Sequence, residues 1–166
     1  MIHFEVLNFK MKHADTQTRR HADTQTRRHA MHSLYFDGCS KGNPGRAGAG
    51  AVLYDAQEAE VFAESVFVGF RATNNEAEYT GLILGLKEAL KLGITTELLV
   101  RGDSQLIIRQ MQGKYKVNSP KLVPLHQCAT NLASKFAKIE FEHVYRDSNK
   151  RADALSNVGE TSSPCN

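Results

Sequence analysis

The chain has 166 residues, enough for one domain with its own core plus a tail, and its 41% hydrophobic content is ordinary for a soluble globular protein. The net charge of +3 is unevenly placed: residues 1–30 hold six Lys/Arg against three Asp/Glu, and the other 136 hold 15 of each. No apolar run approaches the roughly 20 residues that span a bilayer. Residues 1–10 (MIHFEVLNFK) lack a basic leader followed by a long apolar stretch, and Cys39, Cys128 and Cys165 are too few and too scattered for a disulfide framework or a CxxC zinc site. A reducing, intracellular home without a membrane partner is expected.

Residues 1–30 contain HADTQTRR twice in tandem, at 13–20 and 21–28. Two copies of eight residues do not make a solenoid. The repeats have no large apolar residues to offset the entropy of ordering, so 1–30 reads as a disordered basic tail. Its Arg pairs suit nonspecific phosphate contacts or targeting, and a replication-slippage tail without function fits as well. The domain itself spans 31–160, and 161–166 reads as a flexible C-terminus.

From Ser33 the pattern is that of a packed domain. Ser33–Phe36 reads as a short strand ending in Asp37-Gly38, and CSKGNPGRAGAG (39–50) as a glycine-rich loop. Ala49–Tyr54 and Glu60–Val68 read as two further strands, which makes an antiparallel meander. Thr-Asn-Asn-Glu (73–76) is a capping box opening a helix, with an apolar stripe of Tyr79, Leu82, Leu86, Ala89 and Leu90. Gly81 and Gly85 leave a smooth patch on it, and Gly93 closes it. Glu97–Arg101 is a fourth strand. Ser104–Gln112 is a second helix ended by Gly113, and a third runs from Pro120 to about Lys138. Ile139–Val144 is a fifth strand, and Asn149 caps a last helix to about Val158. Helical crossovers make strands one, four and five parallel, which implies a mixed five-stranded α/β sheet with helices on both faces.

Four carboxylates stand out by position. Asp37 and Asp103 end strands one and four, where an open α/β sheet places its sites. Glu78 points along the helix face that packs on the sheet, and Asp153 lies in the first turns of the last helix. Each has an ordinary reading when taken alone. Asp37-Gly38 is a turn pair, Asp103 an N-cap, and Asp153 a partner of the helix dipole. A carboxylate among apolar residues, as Glu78 would be, is costly to bury without a role.

The segments DGCSKGNPG (37–45), TNNEAEY (73–79), GDSQLIIRQMQGKYKV (102–117) and NKRADALSN (149–157) resemble, in order, the successive motifs of the ribonuclease H type 1 family, across residues 33–159. The resemblance is closer to its compact archaeal-like and plant-retroelement-like branch. The loop after Gly113 lacks the Lys/Trp-rich protrusion of some bacterial members. The resemblance implies a ribonuclease H-like fold with sheet order 3-2-1-4-5, acting as a monomer on RNA–DNA hybrids. It implies an endoribonuclease that cuts the RNA strand, with Asp37, Glu78, Asp103 and Asp153 holding two Mg²⁺ ions, Mn²⁺ being an alternative. Hard carboxylate oxygens with no Cys or His among them suit that choice.

In place of the family's general acid/base histidine this chain offers Arg146, which cannot act as a base near neutral pH but can orient a phosphate. His143 lies three residues earlier, as a strand residue or an assistant. The resemblance also points to Asn43, Asn75 and Gln105, with backbone groups of Gly38 and Cys39, as sensors of the 2′-hydroxyl. Turn and first-turn roles also account for Asn43 and Asn75. Lys41, Lys114 and Lys116 suit phosphate contacts. A second reading is a catalytically inactive hybrid-binding domain derived from a retroelement, but clustered negative charge gains such a domain nothing.

Overall fold

A computed structural model describes residues 31–162. The expected tail (1–30) and residues 163–166 of the expected C-terminal segment lie outside the described residues. Strands β1 (His32–Lys41), β2 (Gly45–Tyr54) and β3 (Glu60–Ala72) come first, followed by helix α1 (Asn74–Lys91) and strand β4 (Glu97–Gly102). Helices α2 (Gln105–Met111) and α3 (Leu122–Ala133), strand β5 (Lys138–His143), a short 3₁₀ turn (Arg146–Ser148) and helix α4 (Lys150–Thr161) complete the domain.

The sheet order is β3-β2-β1-β4-β5, as expected. β1 pairs antiparallel with β2, and β2 with β3, while β1, β4 and β5 run parallel. Leu34, Phe36, Leu98 and Val100 meet Tyr79, Leu82 and Leu86 of α1 and Ile107 of α2 in the main core. On the other face Val52 packs with Ala152 and Leu155 of α4. Helices therefore cover both faces. None among the described residues is long and apolar enough to cross a membrane.

The capping box forms as its residues require. Glu76 N donates to Thr73 Oγ1 at 3.3 Å, and Thr73 N donates to Glu76 Oε2 at 2.7 Å. At the far end Gly93 adopts φ 78°, the left-handed conformation that stops a helix.

Two elements depart from expectation. β1 does not end at Phe36. It runs through Asp37 and Gly38 to Lys41, paired with β2 from Asp37↔Gly50 to Lys41↔Arg46. The expected loop 39–50 is instead a hairpin with a short turn, in which Gly42 has φ 98°. The small residues of GRAGAGA belong to a strand pressed by helices, since Ala47 to Leu53 are all buried. The third helix starts at Leu122 rather than Pro120 and stops at Ala133, short of Lys138. Hydrogen bonds from Ala137 N to Thr95 O and Lys138 N to Thr96 O, both 2.8 Å, pull the chain into the sheet beside β4.

Candidate active site

The parallel pairing of β1 with β4 ends at Phe36↔Gly102. Asp37, the next residue of β1, and Asp103, the first residue past the end of β4, follow directly, so neighbouring strands deliver two carboxylates to the carboxyl edge of the sheet. Glu78 arrives from α1, which lies directly on β1. A Cβ at Gly38 would collide with the backbone of Ala77 and Glu78, and one at Gly81 would stand 2.6 Å from Asp37 O. Gly38 thus has a packing role, since only glycine lets α1 come this close.

Carboxylate oxygens of Asp37, Glu78 and Asp103 lie within 4.8 Å of one another. Asp37 and Glu78 are each 5% exposed. Burial, then the charges of Asp37 and Asp103, raises the Glu78 pKa well above the usual carboxylate range. Asp37 is raised to about 6, chiefly by burial, opposed by a hydrogen bond from Ser156 and reinforced by Asp103 and Asp153. Asn74 Nδ2 donates to Glu78 Oε1 over a long 3.4 Å, and Glu78 Oε2 is buried with no hydrogen-bond partner. Asn149 Nδ2 donates to Asp103 Oδ1 at 3.0 Å and to Phe36 O at 2.9 Å.

Three carboxylates are crowded together here, two of them buried, and such crowding is costly. The oxygen donors, their spacing and the partnerless Glu78 oxygen fit a hard divalent ion. The triad can bind a metal.

The fourth expected carboxylate stands apart. Asp153 is outside the triad, and its Oδ1 lies 2.5 Å from Arg146 Nη2. Its charge still reaches Asp37. Arg146 is 77% exposed in its side chain, on the rim of the site. His143 Nε2 sits 3.2 Å from the backbone carbonyl of Asp103, and its ring meets Tyr145 edge-on.

The residues expected to sense substrate surround the triad in the chain. Gly38 and Cys39 follow Asp37 in β1, and Cys39 Sγ donates to Ser156 O at 3.2 Å. Asn43 is exposed on the hairpin turn, where its Oδ1 accepts from Asn74 N at 2.9 Å and ties the hairpin to the start of α1. Asn75 is half-buried in the first turn of α1, and Gln105 is exposed at the start of α2. Lys41 is engaged with Glu160 at 2.7 Å.

Sequence reasoning passed over Asn74 and Ser156 and read Asn149 only as a cap. Asn149 does hold the N-cap position of α4, but its side chain makes no cap bond and turns to Asp103 instead. All three residues lay within the motifs already singled out. Their burial or partners, not their types, mark them.

The sheet order and the acidic cluster at its switch point define the ribonuclease H-like fold. The profile described as reverse transcriptase-like matches residues 35–159. Bifunctional protein Rv2228c of Mycobacterium tuberculosis is 51% identical over 121 residues, covering 73% of this chain and 33% of that protein. The solved N-terminal RNase H domain of Rv2228c superposes with a TM-score of 0.75 at 45% identity, covering 79% of this chain and 94% of that one. RNase H1 of the archaeon Halobacterium salinarum gives 0.74 at 40% identity, over 78% and 96%. LC11-RNase H1, solved in complex with an RNA/DNA hybrid, gives 0.72 at 37% identity, over 76% and 94%. The chain belongs to the ribonuclease H family. It spans about a third of the length of Rv2228c.

Proposed function

We propose that this domain is an endoribonuclease that hydrolyses the RNA strand of RNA–DNA hybrids, using two Mg²⁺ ions, with Mn²⁺ as an alternative. The observation that carries the reading is the convergence of Asp37, Glu78 and Asp103, from three separate elements, to within 4.8 Å. The hybrid complex of LC11-RNase H1 supports the substrate class.

Asp37, Glu78 and Asp103 would hold one ion, and Asp37 with Asp153 the second. Bound there, a pair of ions would lower the pKa of an attacking water and would stabilise charge on the leaving 3′ oxygen. Asp37 is central because it belongs to the triad and also feels the charge of Asp153. Asn149 holds Asp103 in place, and Asn74 steadies Glu78. Arg146, always charged and exposed beside Asp153, orients the scissile phosphate and cannot serve as a base. β4 stops at Gly102, so β1 beyond Phe36 has no strand on that side, and the backbone of Gly38 and Cys39 faces substrate there. Amides of Asn43, Asn75 and Gln105 both donate and accept, as recognition of a 2′-hydroxyl requires.

The test is cleavage of a labelled RNA–DNA duplex with Mg²⁺ or Mn²⁺, beside Asp103→Asn. RNA in the hybrid is cut, double-stranded DNA is spared, and the variant loses nearly all activity. Unchanged cleavage by Asp103→Asn removes the reading. Tight hybrid binding with no cleavage under either metal favours the inactive binding domain instead.

A further inference from the structure

Ser156 sits where α4 needs an apolar residue. The helix turns Ala152, Leu155, Ser156 and Gly159 inward, and Ser156 is 0% exposed. A hydroxyl buried there must find an acceptor. Its Oγ lies 2.6 Å from Asp37 Oδ2 and 2.9 Å from the backbone oxygen of Asp153. The hydroxyl has one proton to give, and the carboxylate, anionic and nearer, takes it.

Close packing makes this contact possible. A Cβ at Gly50 would stand 2.6 Å from Ser156 N and 2.7 Å from Ala152 O, and one at Gly48 would collide with Ser156 O and Glu160 N. Two glycines of β2 thus form a saddle in which the backbone of α4 rests. The Cys39 thiol adds a bond to Ser156 O. Ser156 is held from both β1 and β2, with its hydroxyl directed at a single oxygen of Asp37.

We propose that Ser156 is a positioning residue for the metal centre: by engaging Asp37 Oδ2 it sets the rotation of that carboxylate and presents Oδ1 to a divalent ion shared with Glu78 and Asp103. The proposal rests on the metal-centre reading above. Asp153 precedes Ser156 by three residues on α4, so the same bond registers the helix carrying the rim carboxylate against the strand carrying the central one. Ser156→Ala preserves the helix and its packing but leaves the Asp37 carboxylate free to turn. Loss of such an outer-shell partner weakens metal binding by about 10–100-fold in known sites.

The test titrates Mn²⁺ alone into the full chain by calorimetry, comparing wild type with Ser156→Ala, Leu155→Val and Asp37→Asn. Leu155→Val perturbs the same buried face of α4 without a bond to Asp37. Ser156→Ala is expected to weaken the Mn²⁺ Kd by about tenfold, while Leu155→Val keeps the wild-type value. In hybrid cleavage Ser156→Ala needs more Mn²⁺ for half-maximal rate, with KM for the hybrid unchanged. A wild-type Kd in Ser156→Ala, or an equal weakening in Leu155→Val, overturns the proposal. Undiminished Mn²⁺ binding by Asp37→Asn overturns the metal-centre reading itself, whatever Ser156→Ala does.

Discussion

Replacing Asp37 by asparagine should abolish cleavage and yet stabilise the metal-free fold. The carboxyl is buried beside two other acids, and its pKa rises from 3.8 to about 6 on folding. A tenfold change in proton affinity is worth about 1.4 kcal/mol, so holding Asp37 ionised in the folded state costs about 3 kcal/mol above pH 6. Folded Asp37 binds its proton more tightly than the unfolded chain does. Its contribution to stability therefore falls as pH rises from about 4 through about 6, and at about pH 4.5 the cost shrinks to about 1 kcal/mol. Asparagine keeps the shape and can still accept from Ser156, but it never ionises. In EDTA, the Asp37→Asn variant should melt about 10 °C above wild type near pH 7.5, and only about 3 °C above it near pH 4.5, taking about 3–4 °C per kcal/mol for a domain of this size. Adding about 10 mM Mg²⁺ near pH 7.5 should raise the wild-type Tm and leave the variant almost unmoved. Thermal melts followed by circular dichroism at the two pH values, with and without metal, read all of this. A variant no more stable than wild type near pH 7.5, or a gain that is the same at both pH values, refutes the account of stored charge.

Two further changes separate support from chemistry. Asn149→Ala removes bonds to Phe36 O and Asp103 Oδ1 from a residue that is 1% exposed, and should lower stability by about 2–3 kcal/mol while also weakening Mn²⁺ binding, as read by urea melts and calorimetry; a variant with a wild-type urea midpoint contradicts the role given to that amide. Arg146→Ala breaks only an exposed rim pair, worth about 0–1 kcal/mol, so Tm should barely change while kcat drops with KM nearly constant, and Arg146→Lys should recover part of the rate; equal kcat in wild type and Arg146→Ala would remove Arg146 from the mechanism.

What could be seen in the chain was what local chemistry or connectivity determines. Thr73 and Glu76 satisfy each other's backbone groups wherever they occur in that spacing, so α1 began where it was expected. Crossover helices force β1, β4 and β5 parallel, and that placed Asp37 and Asp103 side by side. The hidden parts depend on neighbours far along the chain. The first four residues of β2, Gly45 to Gly48, have no alternation to announce a strand, because helices press on β2 from both faces and only small residues fit there. Nothing near Ser134-Lys135 ends the helical pattern; Thr95 and Thr96, some forty residues earlier, end it by capturing Ala137 and Lys138.

The same close approaches that concealed the hairpin also create the chemistry. Gly38 and Gly81 let α1 rest on the backbone of Asp37, and Gly48 and Gly50 let α4 settle on the opposite face. Asp37 is thereby enclosed from both sides, and enclosure is the largest cause of its raised pKa. A larger residue at any of these four glycines would lift a helix away, admit water, and relax the repulsion among the carboxylates. The charge would then be easier to hold and less demanding of a cation. The glycines thus act on the metal centre at a distance from it: they keep the carboxylates dry enough, and near enough, that a divalent ion is the favourable remedy.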